Sequence, residues 1–374
     1  MRLLVYGGWY GSGNIGDDAI LIGLRNLIEK VLPDVEIVAL SSNPCQTERV
    51  CGVQAELLHS PRDLITGNGG AQSYYRVFRD VDAFIVSGGT PIYDYGHTSR
   101  LIHFSLSRAL NKKTYCIGVG VKPLNSLHSK TLIRSLLDSV ESISVRDHPS
   151  KHELEKAGVK KKISVTGDSA LFLEYPGASI QAWGHTGKTA VISPRRLSTA
   201  HRGLYHTAKT AGEVSRIRRL TAQVADRLSE KGYSLLFLPM HKVYPDDDLR
   251  EISIIRGLMK SVNRGNVVRE DLSPVEVSSL LGSVDLVFGS RLHSLILAAM
   301  NGTPVIGLDH DPKIGGFMTL AAVGELILNP CSSEVETHQV LEYAVSDGQE
   351  IGRRLKRATD AMKKRILRDV RKLC

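Results

Sequence analysis

Short apolar runs that end in glycine or a polar residue alternate with helical patterns along nearly the whole chain. The first half contains such runs at 3–6, 36–40, 83–87, 114–119, 142–145 and 163–166, and the second half at 189–193, 233–238, 267–268, 284–288 and 305–308. Brief apolar runs are typical of strands buried on both faces, and the helices between them return each strand parallel to the previous one. The sequence therefore predicts an α/β protein with parallel sheets.

The length and the composition of the middle of the chain predict two domains. A chain of 374 residues is too long for one ordinary core. The segment 174–187 has the composition of a linker, and the strand–helix alternation restarts after it. We predict Rossmann-like domains at 1–176 and 188–345 that face each other across a cleft, followed by a basic C-terminal helix at 346–374.

Positive charge is concentrated in the C-terminal segment. Ten of its residues from Arg353 onward are Lys or Arg, against Asp360 and Asp369, so the segment carries 10 − 2 = +8 of the net charge of +9. Apolar residues recur every three or four positions in it, which predicts an amphipathic helix with one apolar face. We expect that face to dock on the protein body. Contact of the basic face with an anionic membrane surface is the alternative left open.

Composition excludes several classes of function. Aromatic residues make up only 6% of the chain, so no stacking platform for nucleic acid is expected. No apolar run approaches the ~20 residues of a membrane span, and the first residues enter a strand, which predicts a cytoplasmic protein that reaches the inner membrane face at most peripherally. Five cysteines form no CxxC pair, and the histidine spacing suggests no metal site, so neither a metal nor a cofactor is predicted.

The candidate site begins where the strand at 284–288 ends. Arg291 and His293 follow that strand directly and precede an apolar, helix-compatible run. This position is the carboxyl edge of a parallel strand beside a helix N-terminus, where open α/β sheets bind ligands. Arginine binds carboxylates or phosphates, and histidine transfers protons near neutral pH. The alternative is a structural ion pair for Arg291 and an internally satisfied histidine.

Two glycine-rich loops in the first half form the second candidate region. The first loop contains Asn14, Gly16 and Asp17, and its glycines at 11, 13 and 16 match the dinucleotide-binding pattern. The match is discounted because four residues separate these glycines from the strand, and because the second strand ends without a carboxylate for a ribose. The second loop follows the strand at 83–87 and contains Gly88, Gly89 and Asp94. For Asp94, a helix cap or loop staple is an equal alternative.

Several of these segments together resemble the polysaccharide pyruvyl transferases. The resemblance rests on 289–306 (GSRLHSLILAAMNGTPVI), on 311–313 (DPK) with 316–318 (GFM), and on three segments of the first half. Those three are 13–17 (GNIGD), the Gly88-Gly89 loop with Asp94, and 144–147 (SVRD). The matches occur in order along nearly the whole chain. This resemblance implies two Rossmann-like halves similar to GT-B glycosyltransferases.

The same resemblance implies phosphoenolpyruvate as donor and a ketal-linked pyruvate on a sugar of a cell-surface polymer, or of its lipid-linked precursor, as product. We hypothesise that His293 protonates the methylene carbon and that Asp94 or Asp17 accepts the proton of the attacking hydroxyl. The residues assigned to phosphoenolpyruvate are Arg146, Arg291, Leu292, Ser294 and Lys313. Those assigned to the acceptor or its loops are Asn14, Gly16, Gly88, Gly89 and His241.

Alternatives remain at this stage. A sugar-nucleotide glycosyltransferase on the same frame is the second hypothesis, followed by a non-catalytic sugar-binding protein and, last, an oxidoreductase. His241 either contacts ligand or only lines the site, and Lys313 either meets an anion or is a surface lysine. The acidic run at 246–248 predicts a solvated loop and the start of a helix.

Overall fold

The computed structural model describes residues 1–60, 70–94, 97–174, 187–197 and 209–373, with the backbone alone at 97–101. They divide into two compact units, the first comprising 1–173 together with the residues from 362 onward, and the second comprising 174–361. Most of the predicted linker, 175–186, lies outside the described residues. No helix in the described ranges is long and apolar enough to cross a membrane.

The first unit is built on a seven-stranded parallel sheet in the order β3-β2-β1-β4-β5-β6-β7. The strands are β1 Arg2–Tyr6, β2 Glu36–Ser41, β3 Gln54–Leu57, β4 Ala83–Ser87, β5 Lys113–Val119, β6 Ser142–Val145 and β7 Ile163–Val165. The helices are α1 Ile15–Glu29, α2 Pro44–Cys51, α3 Gly70–Arg79, α4 His97–Ala109, α5 Leu127–Leu137 and α6 His148–Lys156, followed by a 3₁₀ turn at Ser169–Phe172. Strands β1, β4 and β5 are almost entirely buried, as their continuous apolar runs predict.

The second unit repeats this plan with a six-stranded parallel sheet in the order β10-β9-β8-β11-β12-β13. The strands are β8 Thr189–Ser193, β9 Ser234–Phe237, β10 Asn266–Val267, β11 Leu286–Gly289, β12 Val305–Leu308 and β13 Ile327–Leu328. The helices are α7 Ala211–Glu230, α8 Asp248–Leu258, α9 Pro274–Gly282, α10 Leu292–Met300, α11 Pro312–Leu320, α12 Glu334–Ser346 and the first part of α13 Gly348–Val370, with a 3₁₀ turn at Gly324–Leu326. A further 3₁₀ turn at Arg371–Leu373 follows α13 and belongs to the first unit. The parallel α/β class predicted from the sequence is confirmed.

Each sheet has a topological switch point, where the strand order reverses direction. In the first unit the switch lies between β1 and β4, and in the second unit it lies between β8 and β11. Helices leave the sheet on opposite faces there, so the loops after the two neighbouring strands separate and open a crevice at the carboxyl edge. The Gly88-Gly89 loop and the Arg291 segment follow β4 and β11, so both candidate regions lie at switch points.

The last helix contributes to both units. Residues of α13 up to 361 belong to the second unit, and those from 362 belong to the first. In the first unit Met362, Ile366 and Val370 are fully buried, and they recur at helical spacing on one face. Met362 and Ile366 lie against Gly167, where an added Cβ would be 3.0 Å from the Met362 Cβ.

We expect Gly167→Ala to destabilise the first unit by about 1–3 kcal/mol, because Gly167 has a φ of +122° and no space for a methyl group. Denaturant unfolding measures the change. Gly257→Ala is the matched control, since nothing lies within 4 Å of its added Cβ, and it should be neutral or stabilising. Equal stability of the two variants would contradict the packing of α13 on this loop.

Candidate active site

The first glycine-rich loop is held against β4 by a buried tyrosine. The Tyr10 hydroxyl donates to the Ser87 carbonyl oxygen at 2.7 Å. Gly88 and Gly89 follow with φ angles of +102° and +33°, in the left-handed region that favours glycine. An added Cβ at Gly89 would lie 2.8 Å from Oδ1 of Asp17. The structure therefore brings the backbone of the second loop directly against a carboxylate of the first.

Asn14 orients that carboxylate at the start of α1. Its side chain accepts from the Gly16 amide at 3.1 Å, as an N-cap does, and its Nδ2 donates to Oδ2 of Asp17 at 2.7 Å. Asp17 is 5% exposed. Five of the residues assigned from the sequence thus meet at one switch point, namely Asn14, Gly16, Asp17, Gly88 and Gly89.

Asp18, beside Asp17, carries a carboxyl group that the sequence did not single out. It is buried, and its Oδ1 accepts from the Gly11 amide at 3.3 Å. Burial raises the pKa of Asp18 to about 7, although the Gly11 amide acts in the opposite direction. The first loop therefore contains a group whose charge changes near neutral pH.

Arg146 lies at the end of β6 and is 5% exposed. Its Nε donates to Oδ2 of Asp147 at 3.1 Å, Nη1 lies 3.9 Å from Oδ2 of Asp168, and Nη2 donates to the Thr90 hydroxyl at 3.3 Å. An added Cβ at Gly120 would be 2.6 Å from Nη2. Two carboxylates thus fix the guanidinium, and the absence of a side chain at Gly120 leaves the space that it occupies. Its hydrogen bond to Thr90 places it beside the Gly88-Gly89 loop.

Asp94 occupies a different position in this unit. Its Oδ1 accepts from the amide and the hydroxyl of Ser126, which is the N-cap of α5. Burial acts to raise the pKa of Asp94, but hydrogen bonds from Ser129 and Ser126 outweigh it and lower the pKa. These contacts make Asp94 a loop staple to the N-cap residue of α5 and so favour the structural alternative, and the assigned proton-accepting role stays a prediction.

In the second unit Arg291 is held by a fully buried carboxylate. Its Nε donates to Oδ2 of Asp248 at 2.9 Å and its Nη2 to Oδ1 at 2.6 Å, while Nη2 also donates to the Asp246 carbonyl oxygen at 3.0 Å. Asp248 is 0% exposed. Its oxygens also accept from three backbone amides at 3.0 Å, those of Arg196, Met240 and His241. One carboxylate therefore joins the segments after β8, β9 and β11.

The contacts of Asp248 correct part of the prediction made for the acidic run at 246–248. Asp247 does cap the start of α8, as predicted, by accepting from the Leu249 amide at 2.9 Å. The prediction of a solvated loop is wrong for Asp248, because its charge is compensated by Arg291 and by backbone amides. The ion pair that the sequence offered as an alternative for Arg291 is present, and it fixes the guanidinium at the strand end.

The three residues after Arg291 differ in how deeply their side chains are buried. Leu292 is buried, whereas His293 is half-buried in the first turn of α10. Ser294 is fully buried, and its hydroxyl donates to the Arg291 carbonyl oxygen at 2.7 Å. Leu292 and Ser294, both assigned to phosphoenolpyruvate, thus pack inside the fold, and a contact of theirs with ligand stays a prediction.

A third strand-end arginine, Arg195, was missed by sequence reasoning. Its amide donates to the Ser290 hydroxyl at 2.7 Å, so the loop after β8 is tied to the loop after β11. Its guanidinium lies 3.9 Å from the Asp246 carboxylate and 4.0 Å from that of Asp311. Its buried Nε has no hydrogen-bond partner among the described residues. The signal was present at 194–196 (PRR), directly after a buried strand.

The loop after β12 completes this edge. Asp311 caps α11, and its carboxylate lies 3.7 Å from Nζ of Lys313. Burial acts to raise the pKa of Asp311, but Lys313 and Arg195 outweigh it and hold the pKa well below its usual range. Burial and the Arg195 charge lower the pKa of His310 to about 4, and its Nε2 lies 3.0 Å from the Ser290 carbonyl oxygen. His310 is therefore neutral at physiological pH.

The second edge thus collects Arg195, Arg291, His293 and Lys313 around three connected loops. His241 joins this group through its amide, which contacts Asp248. Within the described ranges, no three His, Cys, Asp or Glu side chains are arranged to hold a metal ion. Fixed guanidinium groups next to a helix N-terminus are suited to binding carboxylates and phosphates.

We expect Asp248→Asn to cost about 3–5 kcal/mol of stability, because it leaves the buried Arg291 charge without a counterion. Urea unfolding measures this loss. Asp271→Asn is the control, since Asp271 pairs with Lys242 with its own side chain 98% exposed, and it should change stability by less than about 0.5 kcal/mol. A similar small loss for both variants would show that Asp248 does not organise this edge.

A second prediction concerns pH. The pKa of Asp18 is about 7 in the folded protein, against the ordinary value of 3.8, so the folded state holds this proton more tightly. The stabilisation is complete below about pH 4 and is lost as pH rises to about 7. Asp18→Asn should remove this part of the pH dependence, seen as a flatter plot of unfolding free energy against pH. Asp34→Asn, at an exposed site, should keep the wild-type slope, and equal slopes in all three proteins would refute the assignment.

Several solved structures have the same architecture. The Anabaena protein Alr3699/HepE, solved with UDP-glucose, superposes with a TM-score of 0.61 at 13% identity, over 100% of this chain and 97% of that one. A glycosyltransferase from Rickettsia africae gives a TM-score of 0.61 at 13% identity, with 100% and 96% of the chains covered. The UDP-GlcNAc 2-epimerase from Neisseria meningitidis gives 0.58 at 13% identity, with 98% and 100% covered. These similarities show a GT-B-like fold.

Sequence comparison is more specific. The amylovoran biosynthesis protein AmsJ of Erwinia amylovora is 24% identical over 373 residues, which covers 87% of each chain. A family model described as polysaccharide pyruvyl transferase matches residues 14–312. That range contains Asn14, Gly16 and Asp17 of the first glycine-rich loop, the Gly88-Gly89 loop, Arg146, Asp248 and the Arg291–His293 segment. The chain therefore belongs to the polysaccharide pyruvyl transferase family.

Proposed function

We propose that this protein transfers the pyruvyl group of phosphoenolpyruvate to a sugar of a cell-surface polysaccharide or of its lipid-linked precursor. Two hydroxyl groups of that sugar become bridged in a cyclic ketal, and inorganic phosphate is released. Family membership supports the transfer of a pyruvyl group. The relative AmsJ, named for amylovoran biosynthesis, supports a role in polysaccharide synthesis. Phosphoenolpyruvate acts as the donor substrate, and the proposal includes no resident cofactor.

The observation that carries the donor assignment is the cationic edge of the second sheet. Arg291 is held by Asp248, and the guanidinium groups of Arg195 and Arg291 both contact Asp246. Phosphoenolpyruvate bears a carboxylate and a phosphate on a three-carbon frame, and fixed guanidinium groups suit both. Nε and Nη2 of Arg291 face Asp248, so Nη1 is the nitrogen that we assign to the ligand. Lys313 supplies a further positive charge.

His293 is the proposed proton donor. Protonation of the methylene carbon converts the enol phosphate into an electrophilic centre at C2, which a sugar hydroxyl attacks while losing its proton to a carboxylate. A second hydroxyl of the sugar then forms the other C–O bond as the C2–phosphate bond breaks, and the cationic groups stabilise the departing phosphate. The proton of the second hydroxyl leaves on the departing phosphate. The carboxylate returns the proton of the first hydroxyl to solvent and His293 regains its own from solvent, so the reaction is balanced without an oxidant or a reductant.

For the proton acceptor we favour Asp17 over Asp94. Asp17 is oriented by Asn14 against the bare backbone of Gly89, whereas the Asp94 carboxylate is engaged by Ser126. Arg146 supplies a second fixed guanidinium at the edge of the first sheet, and we assign it to an anionic group of the substrates. The two assignments predict different outcomes for Asp17→Asn and Asp94→Asn, since only the former should abolish turnover.

The decisive assay measures phosphate release from phosphoenolpyruvate with a panel of hexose and N-acetylhexosamine acceptors, and checks products by mass. Acceptor-dependent release together with the mass gain of a pyruvyl ketal would establish the reaction. Binding of UDP-glucose without phosphate release from phosphoenolpyruvate would instead support the sugar-nucleotide glycosyltransferase alternative.

His293→Gln should lower turnover by about 10²-fold or more, the usual contribution of a positioned proton donor, while phosphoenolpyruvate binding by calorimetry is retained. The matched control is His338→Gln, because His338 is exposed on α12, and it should keep wild-type turnover. Unchanged turnover in His293→Gln would remove this residue from the mechanism.

A further inference from the structure

A cavity of about 190 Å³ lies between the edge strand β7 and the end of α13, within the first unit. It is separate from the switch-point loops described above. Its polar lining consists of Ser164 and Thr166 on the strand side and Arg365, Arg368, Asp369 and Lys372 on the helix side. Because a water molecule accounts for ~30 Å³ in the liquid, the cavity has room for a small organic ligand.

The helix residues that line the cavity are held in place by the neighbouring apolar face of the same helix. They follow the spacing i, i+3, i+4 and i+7, which places them on one face. Met362, Ile366 and Val370 are fully buried, and the first two lie against Gly167. The cationic face is therefore fixed relative to β7 by packing.

The cavity contains buried polar atoms that the protein itself does not satisfy. Nε of Arg365 is buried and has no hydrogen-bond partner among the described residues. Asp369 is 5% exposed, and its Oδ1 accepts from Lys372, whereas its buried Oδ2 has no partner in the same part of the chain. A buried donor or acceptor without a partner is costly, so a ligand that bonds to both atoms would be stabilising.

The charges and unsatisfied atoms define the chemistry of that ligand. Two guanidinium groups and one ammonium group line the cavity together with a single carboxylate, so an anion with several acceptor oxygens fits best, and phosphate is such a group. Oδ2 of Asp369 requires a donor, which a hydroxyl group on the same ligand provides. We propose that this cavity is a binding site for a hydroxyl-bearing phosphate ester, distinct from the transfer site.

Such an ester can come from a lipid headgroup or from a soluble sugar or polyol phosphate. Lys364 and Arg371 are exposed beside the cavity, and basic residues at this position would also attract an anionic membrane surface. Glycerol 1-phosphate represents the shared chemistry, and vesicles with and without phosphatidylglycerol distinguish the lipid source from the soluble one.

The test measures binding of glycerol 1-phosphate to the full chain by calorimetry and binding to vesicles by co-sedimentation. The double variant Arg365→Gln/Arg368→Gln should weaken the affinity for the ester at least tenfold. The control Lys364→Gln/Arg371→Gln removes the same charge outside the cavity and should keep wild-type affinity for the ester. If the double variant does not fold, the single variant Arg368→Gln replaces it in both binding measurements, because Arg368 is exposed.

Saturable ester binding that is lost only in the cavity variant supports the site. Vesicle binding lost in the same way then assigns it to a lipid headgroup, whereas ester binding without vesicle binding assigns it to a soluble ligand. The absence of saturable ester binding to the wild type, or equal weakening in both double variants, would overturn the proposal. Any remaining binding would then be a non-specific attraction of anions to the basic surface.

Discussion

The structure depends above all on the parallel arrangement of strands in each sheet. Parallel strands place all their carboxyl ends at one edge, and the reversal of strand order opens a crevice between two of them. In both units the strands that flank this reversal are followed by the candidate residues, Gly88 and Gly89 after β4 and Arg291 after β11. The positions of the functional side chains are therefore consequences of topology, and the loops need only supply the chemistry.

At both sheet edges the charge of a buried guanidinium is compensated by buried carboxylates. Arg146 is flanked by Asp147 and Asp168, and Arg291 is bonded through two nitrogens to Asp248. Each carboxylate is itself tied to backbone amides, for example Asp147 to that of Ser150 and Asp168 to that of Ala170. Such support fixes the arginine before any ligand arrives, which is the arrangement that favours tight and oriented binding of anions.

Much of the fold was predictable from the sequence because the central strands are continuous apolar runs. Each strand that the sequence predicts overlaps an observed one, but β3 and β13 were missed. They are edge strands, and β3 buries too little of its surface to produce an apolar run. Asp248 was misjudged for a related reason. Three consecutive aspartates suggest solvent exposure, and nothing local indicates that the third one meets an arginine 43 residues further along the chain.

The positive charge of the C-terminal helix is distributed unevenly along its length. In the first part of α13 the cations are neutralised by nearby carboxylates, with Arg353 and Arg357 at Glu350 and Arg354 at Glu325. From residue 362 onward the sequence contains six Lys or Arg and Asp369 as the single acidic residue. The excess of +8 predicted for the tail therefore falls mainly on the portion that packs against β7.

A helix that only docked through its apolar face would not need this uneven distribution of charge, because the first and second parts of the helix could then carry the same net charge. The concentration of cations beside an edge strand, where backbone groups and a cavity also lie, is the distribution expected of a surface that meets an anion.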